Sequence, residues 1–118
     1  MRLIEDIAAL EAIYGAPMKT ALDKVATRIT PVYRRWIEAA RFCVLSTVGP
    51  EGTDGSPRGD DGPVVAVQDE ATLLLPDWRG NNRVDSLRNI IRDPRVGLLF
   101  LIPGSGSTLR VNGTAAIS

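Results

Sequence analysis

The sequence predicts an α+β protein, with helices first and a β-rich remainder that carries one further helix. Three observations predict it. Apolar residues recur at helical spacing up to about residue 40. Runs of β-formers and one alternating segment fill the chain after Phe42. Gly, Pro and Asp mark the joints between them. At 118 residues the chain is one domain with a modest core.

Taken in order, Leu3, Ile7, Leu10 and Tyr14 share one face of a helix that Gly15-Ala16-Pro17 stops. A weaker helix is expected over Ala21 to Arg28. Thr30-Pro31 reads as an N-cap followed by proline at the first helical position, and Tyr33, Trp36, Ile37 and Ala40 form one face of the helix it starts. Residues 1–41 are therefore expected to be a helical segment packing on the rest. Phe42 to Val48 is a strand. The stretch GPEGTDGSPRGDDGP that follows is loop or hairpin, with Ser56 to Asp60 as a short strand within it.

Pro63 to Gln68 and Ala71 to Leu75 read as two strands joined at Asp69-Glu70. Val84, Leu87 and Ile91 mark a helix ending at Asp93-Pro94. Val96 to Ile102 is almost wholly apolar, as in a central strand buried on both faces. After the turn at 104–107, Leu109, Val111, Gly113, Ala115 and Ile117 alternate with polar or small neighbours. That pattern is still running at Ser118, so residues 42–118 are expected to be a β domain truncated at its C-terminal end. Open sheets of five or six short strands leave edges to protect, so the β part is expected to close as a small barrel.

Composition narrows the chemistry. Lys and Arg number 14 and so do Asp and Glu, which gives no case for nucleic acid. There is no histidine, which removes Ser-His and Cys-His nucleophiles and histidine-ligated metal or haem. The single cysteine, Cys43, sits in the apolar run FCVLSTV and reads as a buried, inert thiol. Asp60 and Asp61 are adjacent, so on a strand they face opposite sides and form neither a metal site nor a catalytic pair. No signal peptide is visible, and the longest apolar run is too short to span a bilayer, so no membrane is expected and the cytoplasm is the expected location.

The chemistry concentrates in LLLPDWRGNNRVDSLRNII, Leu73 to Ile91. Residues 76–95 hold five Arg against three Asp. Gly80 allows close backbone approach, Asn81 and Asn82 offer amide donors, and Arg83 stands where the helix begins, beside unsatisfied N–H groups and a positive dipole end. Together they could grip a phosphate. The plainer alternative is that Asn81 or Asn82 only caps the helix, Arg83 is a solvated charge and Trp78 is packing. The segment SPRGDDGP carries a second basic candidate, Arg58, which alone reads as a solvated loop residue.

The order of SPRGD, DxxGNNRxDSLxN (Asp77 to Asn89) and LRVNGTA, set between these strands, resembles the pyridoxamine 5′-phosphate oxidase-related proteins over Phe42 to Ser118. Within them it is most similar to a subgroup described as FMN-binding oxidoreductases. The resemblance implies a six-stranded antiparallel split β-barrel that forms a homodimer, with FMN held at the subunit interface. It implies that Arg58 reaches the FMN phosphate or ribityl chain and that Asn82 and Arg83 grip the phosphate. Asp77, Trp78 and Asn81 would line the ribityl and ring side. Ser56, Pro57 and Thr47 would lie near the isoalloxazine edge. Catalytic side chains are not named, because flavin N5 carries the hydride. The donor or substrate would be NAD(P)H or a small organic molecule. True pyridoxamine phosphate oxidases carry a C-terminal basic and histidine-containing segment that this chain does not have, so vitamin B6 chemistry is not expected. The alternatives are a non-catalytic FMN-binding or storage module and a deazaflavin-dependent reductase.

Overall fold

The computed structural model describes residues 2–15, 25–77 and 84–118. Helix α1 spans Ile7–Tyr14 and α2 spans Pro31–Ala39. Strands β1 (Phe42–Gly49), β2 (Gly52–Gly59), β3 (Ala66–Asp69) and β4 (Thr72–Leu74) follow. Helix α3 (Asp85–Arg92) and strands β5 (Arg95–Leu101) and β6 (Thr108–Thr114) complete the described elements. The expected helix over 21–28 lies partly outside the described residues, and its remainder, 25–28, is not helical.

Local chemistry accounts for the helix ends. The Thr30 Oγ1 accepts from the Tyr33 N–H at 3.2 Å, with Pro31 in the first turn of α2. Asp6 caps α1 by accepting from the Ala9 N–H at 2.7 Å, and Gly15 ends it at φ 70°, a conformation that suits glycine.

Strands β2-β1-β5-β6 form one antiparallel sheet in that order, and β3-β4 form a separate hairpin. The expected closed barrel is therefore corrected: the two sheets share no ladder, and β2 and β6 remain edges. The reason is the length of β3 and β4, which are 4 and 3 residues with an irregularity between Val67 and Asp69. They cover the core with side chains and do not extend the sheet.

Two further expectations change. The Gly-, Pro- and Asp-rich stretch is a full eight-residue strand, β2, registered along all of β1 from Phe42↔Gly59 to Gly49↔Gly52. Its place at the sheet edge explains how it tolerates Pro57, since one side of an edge strand needs no ladder N–H. Strand β5 is central as expected, but only Phe100 in it is buried. The described elements cover one face of the sheet and leave the other open.

The covered face is the inner one. Cys43, Leu45 and Thr47 on β1 point into it, beside Phe100 and Leu98 on β5 and Leu109 and Val111 on β6. Ile37 and Ala40 come from the α2 end, and Val64 and Val65 from the segment before β3; with Cys43 and Phe100 they make the buried cluster. A buried side chain of this kind contributes about 1.5–3 kcal/mol by leaving water. Backbone bonds tie the same corner together: Val64 N–H donates to the Ala40 carbonyl at 3.1 Å and Asp60 N–H to the Arg41 carbonyl at 3.0 Å.

Candidate functional site

Alternation on β2 decides which of its residues face inward. Asp54, Ser56 and Arg58 lie opposite Thr47, Leu45 and Cys43, so a polar row runs beside a buried one. The Arg58 side chain is 14% exposed. Its Nη1 donates to Asp77 Oδ1 at 2.8 Å and its Nε to Ser56 Oγ at 3.1 Å. Nη2 has no hydrogen-bond partner among the described residues. Asp77 is half exposed, so solvent screens the ion pair and its contribution to stability is small; its effect is to aim the guanidinium.

Arg58 stands in the wall of a cleft of about 140 Å³ lined by Pro57, Arg58, Gly59, Val64, Leu75, Pro76 and Asp77. The lining joins the charged Arg58 and Asp77 to the apolar Val64, Leu75 and Pro76. Behind Arg58, the Cys43 thiol is pushed up in pKa by burial, an effect the Arg58 charge partly opposes. Cys43 is thus a packed, protonated thiol, as the sequence indicated.

The expected site residues fall into three groups. Arg58, Ser56, Pro57 and Asp77 come together at the cleft. Thr47 lies elsewhere on the inner face, buried, with its hydroxyl accepting from Asn89 Nδ2 at 3.1 Å. Trp78, Asn81, Asn82 and Arg83 lie outside the described residues.

Helix α3 begins just past that segment. Its N-cap position is Val84, which has no side-chain acceptor, and Asp85 supplies an acid in the first turn. The helix is held to the sheet by polar pins. Ser86 Oγ donates to Asp54 Oδ2 at 3.3 Å, and Asn89 donates to Thr47 as above. A Cβ at Gly49 would overlap the Asn89 amide, so a glycine there lets α3 approach. Ser86, Asn89 and Asp54 were not singled out from sequence. The available signal was Ser86 and Asn89 sharing a helix face with Ile90; Asp54 was hidden in what reads as loop.

No group of three or more His, Cys, Asp or Glu gathers for a metal among the described residues. No helix of the described residues is long and apolar enough to cross a membrane.

The fold and cleft define a small α+β protein with a basic, half-apolar site beside an edge strand. The family model for pyridoxamine 5′-phosphate oxidase matches residues 29–118, and the chain belongs to that family. The match takes in α2 as well as the β-rich part. Members of this family are flavin-binding split barrels. No curated protein and no solved structure matches the chain.

Proposed function

We propose that this chain binds FMN and acts as a flavin-dependent oxidoreductase, of the FMN-binding oxidoreductase subgroup. The observation that carries the reading is Arg58. It is a largely buried guanidinium, aimed by Ser56 and Asp77, in a cleft that Val64, Leu75 and Pro76 also line. That donor set fits a ligand with a phosphate at one end and an apolar ring system at the other.

In this reading Arg58 binds the phosphate or ribityl chain, with Asn82 and Arg83 from the segment before α3 completing the grip. Asp77, Trp78 and Asn81 line the ribityl side. Ser56 orients Arg58, and Pro57 borders the ring. Thr47 acts by holding α3 through Asn89. When bound, the flavin supplies the hydride chemistry at N5. The residues of the chain bind and orient it, and NADH, NADPH or a small organic molecule exchanges the hydride. The cleft of about 140 Å³ is well below the roughly 300–1,000 Å³ of a site that encloses a whole ligand. This supports a homodimer in which a second copy and residues 78–83 supply the remaining contacts at the interface. We place the protein in the cytoplasm.

Purified protein is expected to be yellow, or to become so with added FMN and gain thermal stability. Arg58→Ala should keep the fold and weaken FMN binding by roughly 1.5–3 kcal/mol, about 10- to 150-fold in Kd. Unchanged FMN content in that variant would place the phosphate elsewhere. The alternative is a flavin-binding module without turnover. Anaerobic addition of NADH and NADPH separates the two, since only the oxidoreductase bleaches the flavin. A released chromophore with a deazaflavin spectrum and mass would redirect the proposal to a deazaflavin reductase.

A further inference from the structure

A second, open hollow of about 540 Å³ is lined by Arg41, Gly59, Asp60 and Asp61. It adjoins the cleft of Arg58, since Gly59, which has no side chain, borders both. Its volume lies within the roughly 300–1,000 Å³ of ligand sites, as that of the cleft does not. Strand alternation would put Asp60 and Asp61 on opposite faces, but β2 ends at Gly59 and both residues line the hollow.

The corner is fixed, yet its charges do not pair with one another. Asp60 N–H donates to the Arg41 carbonyl at 3.0 Å, and Asp60 Oδ1 accepts from the Gly62 N–H at 3.3 Å. Arg41 Nη1 donates to the Glu38 carbonyl at 3.0 Å, which holds the guanidinium at the C-terminal end of α2. Among the described residues, Arg41 Nε and Nη2 have no partner, and the exposed Asp61 carboxylate has neither a hydrogen bond nor an ion pair. The hollow therefore presents guanidinium donors beside carboxylate acceptors, with two negative charges against one positive.

We propose, resting on the flavin reading above, that this hollow binds the adenosine end of NADH and that its carboxylates select NADH against NADPH. Arg41 suits the pyrophosphate. Asp60 and Asp61 suit the ribose hydroxyls, which donate to carboxylates. The 2′-phosphate of NADPH would meet the same two carboxylates and be repelled. Position favours a dinucleotide over a small molecule. The hollow adjoins Arg58, at the phosphate or ribityl end of the flavin, so a small molecule held there would lie away from N5. An extended dinucleotide can reach along the cleft, where NADH gives one hydride, with its two electrons, to the flavin and leaves as NAD⁺.

The test is calorimetric titration of the full-length chain, in excess FMN, with NAD⁺ and with NADP⁺, and circular dichroism as the fold control. The wild type should bind NAD⁺ about 10-fold or more tighter than NADP⁺, as like-charge repulsion requires. Asp61→Asn should reduce that ratio several-fold, and Asp61→Arg should reverse it. The rates of anaerobic flavin bleaching by NADH and NADPH should follow the same order. Equal binding of the two, binding of neither, or a ratio that Asp61→Arg leaves unchanged overturns the proposal. FMN titration of the same samples scores the cleft separately: a chain that binds no FMN yet prefers NAD⁺ in this way refutes the flavin reading and supports the hollow.

Discussion

Helices α2 and α3 both sit on the inner face of one sheet, at opposite ends, and are held there by different physics. At the α2 end, Ile37 and Ala40 join Cys43, Val64, Val65 and Phe100 in a buried cluster. At the α3 end, Ile90 is buried, but the specific links are the hydrogen bonds Asn89 to Thr47 and Ser86 to Asp54. Burial is strong and tolerant of small shifts. Side-chain hydrogen bonds contribute little net energy but demand one register. The difference follows their places: α2 closes the core, whereas α3 follows directly on the segment proposed to grip the phosphate.

Breaking the apolar end should have the largest effect. Phe100→Ala leaves a cavity against Ile37 and Cys43 and should cost about 3–5 kcal/mol, read as the shift in a urea midpoint at unchanged m. Such a loss is a large fraction of the total for a domain of this size.

The polar end should give a smaller loss of stability and a clearer loss of function. Asn89→Ala leaves the buried Thr47 hydroxyl without its donor and should cost about 1–3 kcal/mol. If α3 is an aiming device, FMN affinity should fall by more than the stability change alone explains, by titration under conditions where the variant is fully folded. Thr47→Val together with Asn89→Ala should recover part of the stability and none of the affinity.

The ends of the helices sharpen the contrast further. Thr30→Ala removes the α2 cap and should cost about 0.5–2 kcal/mol in thermal or urea unfolding, without changing FMN affinity.

The smallest effect lies just past α3. Hydrogen bonds from the Arg95 side chain and backbone N–H hold the Asp93 carboxyl down at about 2, from an ordinary 3.8. A carboxyl depressed on folding adds stability above its unfolded pKa and loses it as pH falls through the folded one. Asp93→Asn should therefore lower Tm slightly at neutral pH, and the gap should close as pH falls from 3.8 to about 2. The exposed setting of the pair keeps the effect small.

Much of this organisation was legible from residues that act on their neighbours. Thr30-Pro31 announced α2 because a cap needs only the next three residues. The β3-β4 turn and the stop of α3 at Asp93-Pro94 were readable for the same reason. Arg58 read as a loop residue on its own merits; the motif order suggested a role for it, and the structure places it, largely buried, on β2. The resemblance alone suggested Thr47 as a residue near the flavin edge, and no local pattern names what its hydroxyl meets. Its hydroxyl meets Asn89, forty-two positions away.

The sequence by itself determined the α+β class, the order of elements, the inert Cys43 and the concentration of basic chemistry around Arg58 and the segment before α3. Those features rest on period, capping and composition, which are local. Only the tertiary structure decided that the Gly-rich stretch is an edge strand, that β3 and β4 form a separate hairpin, and that Ser86, Asn89 and Asp54 pin α3. Ladder partners and side-chain hydrogen bonds join residues far apart in the chain, so their choice depends on register and packing that no local pattern contains.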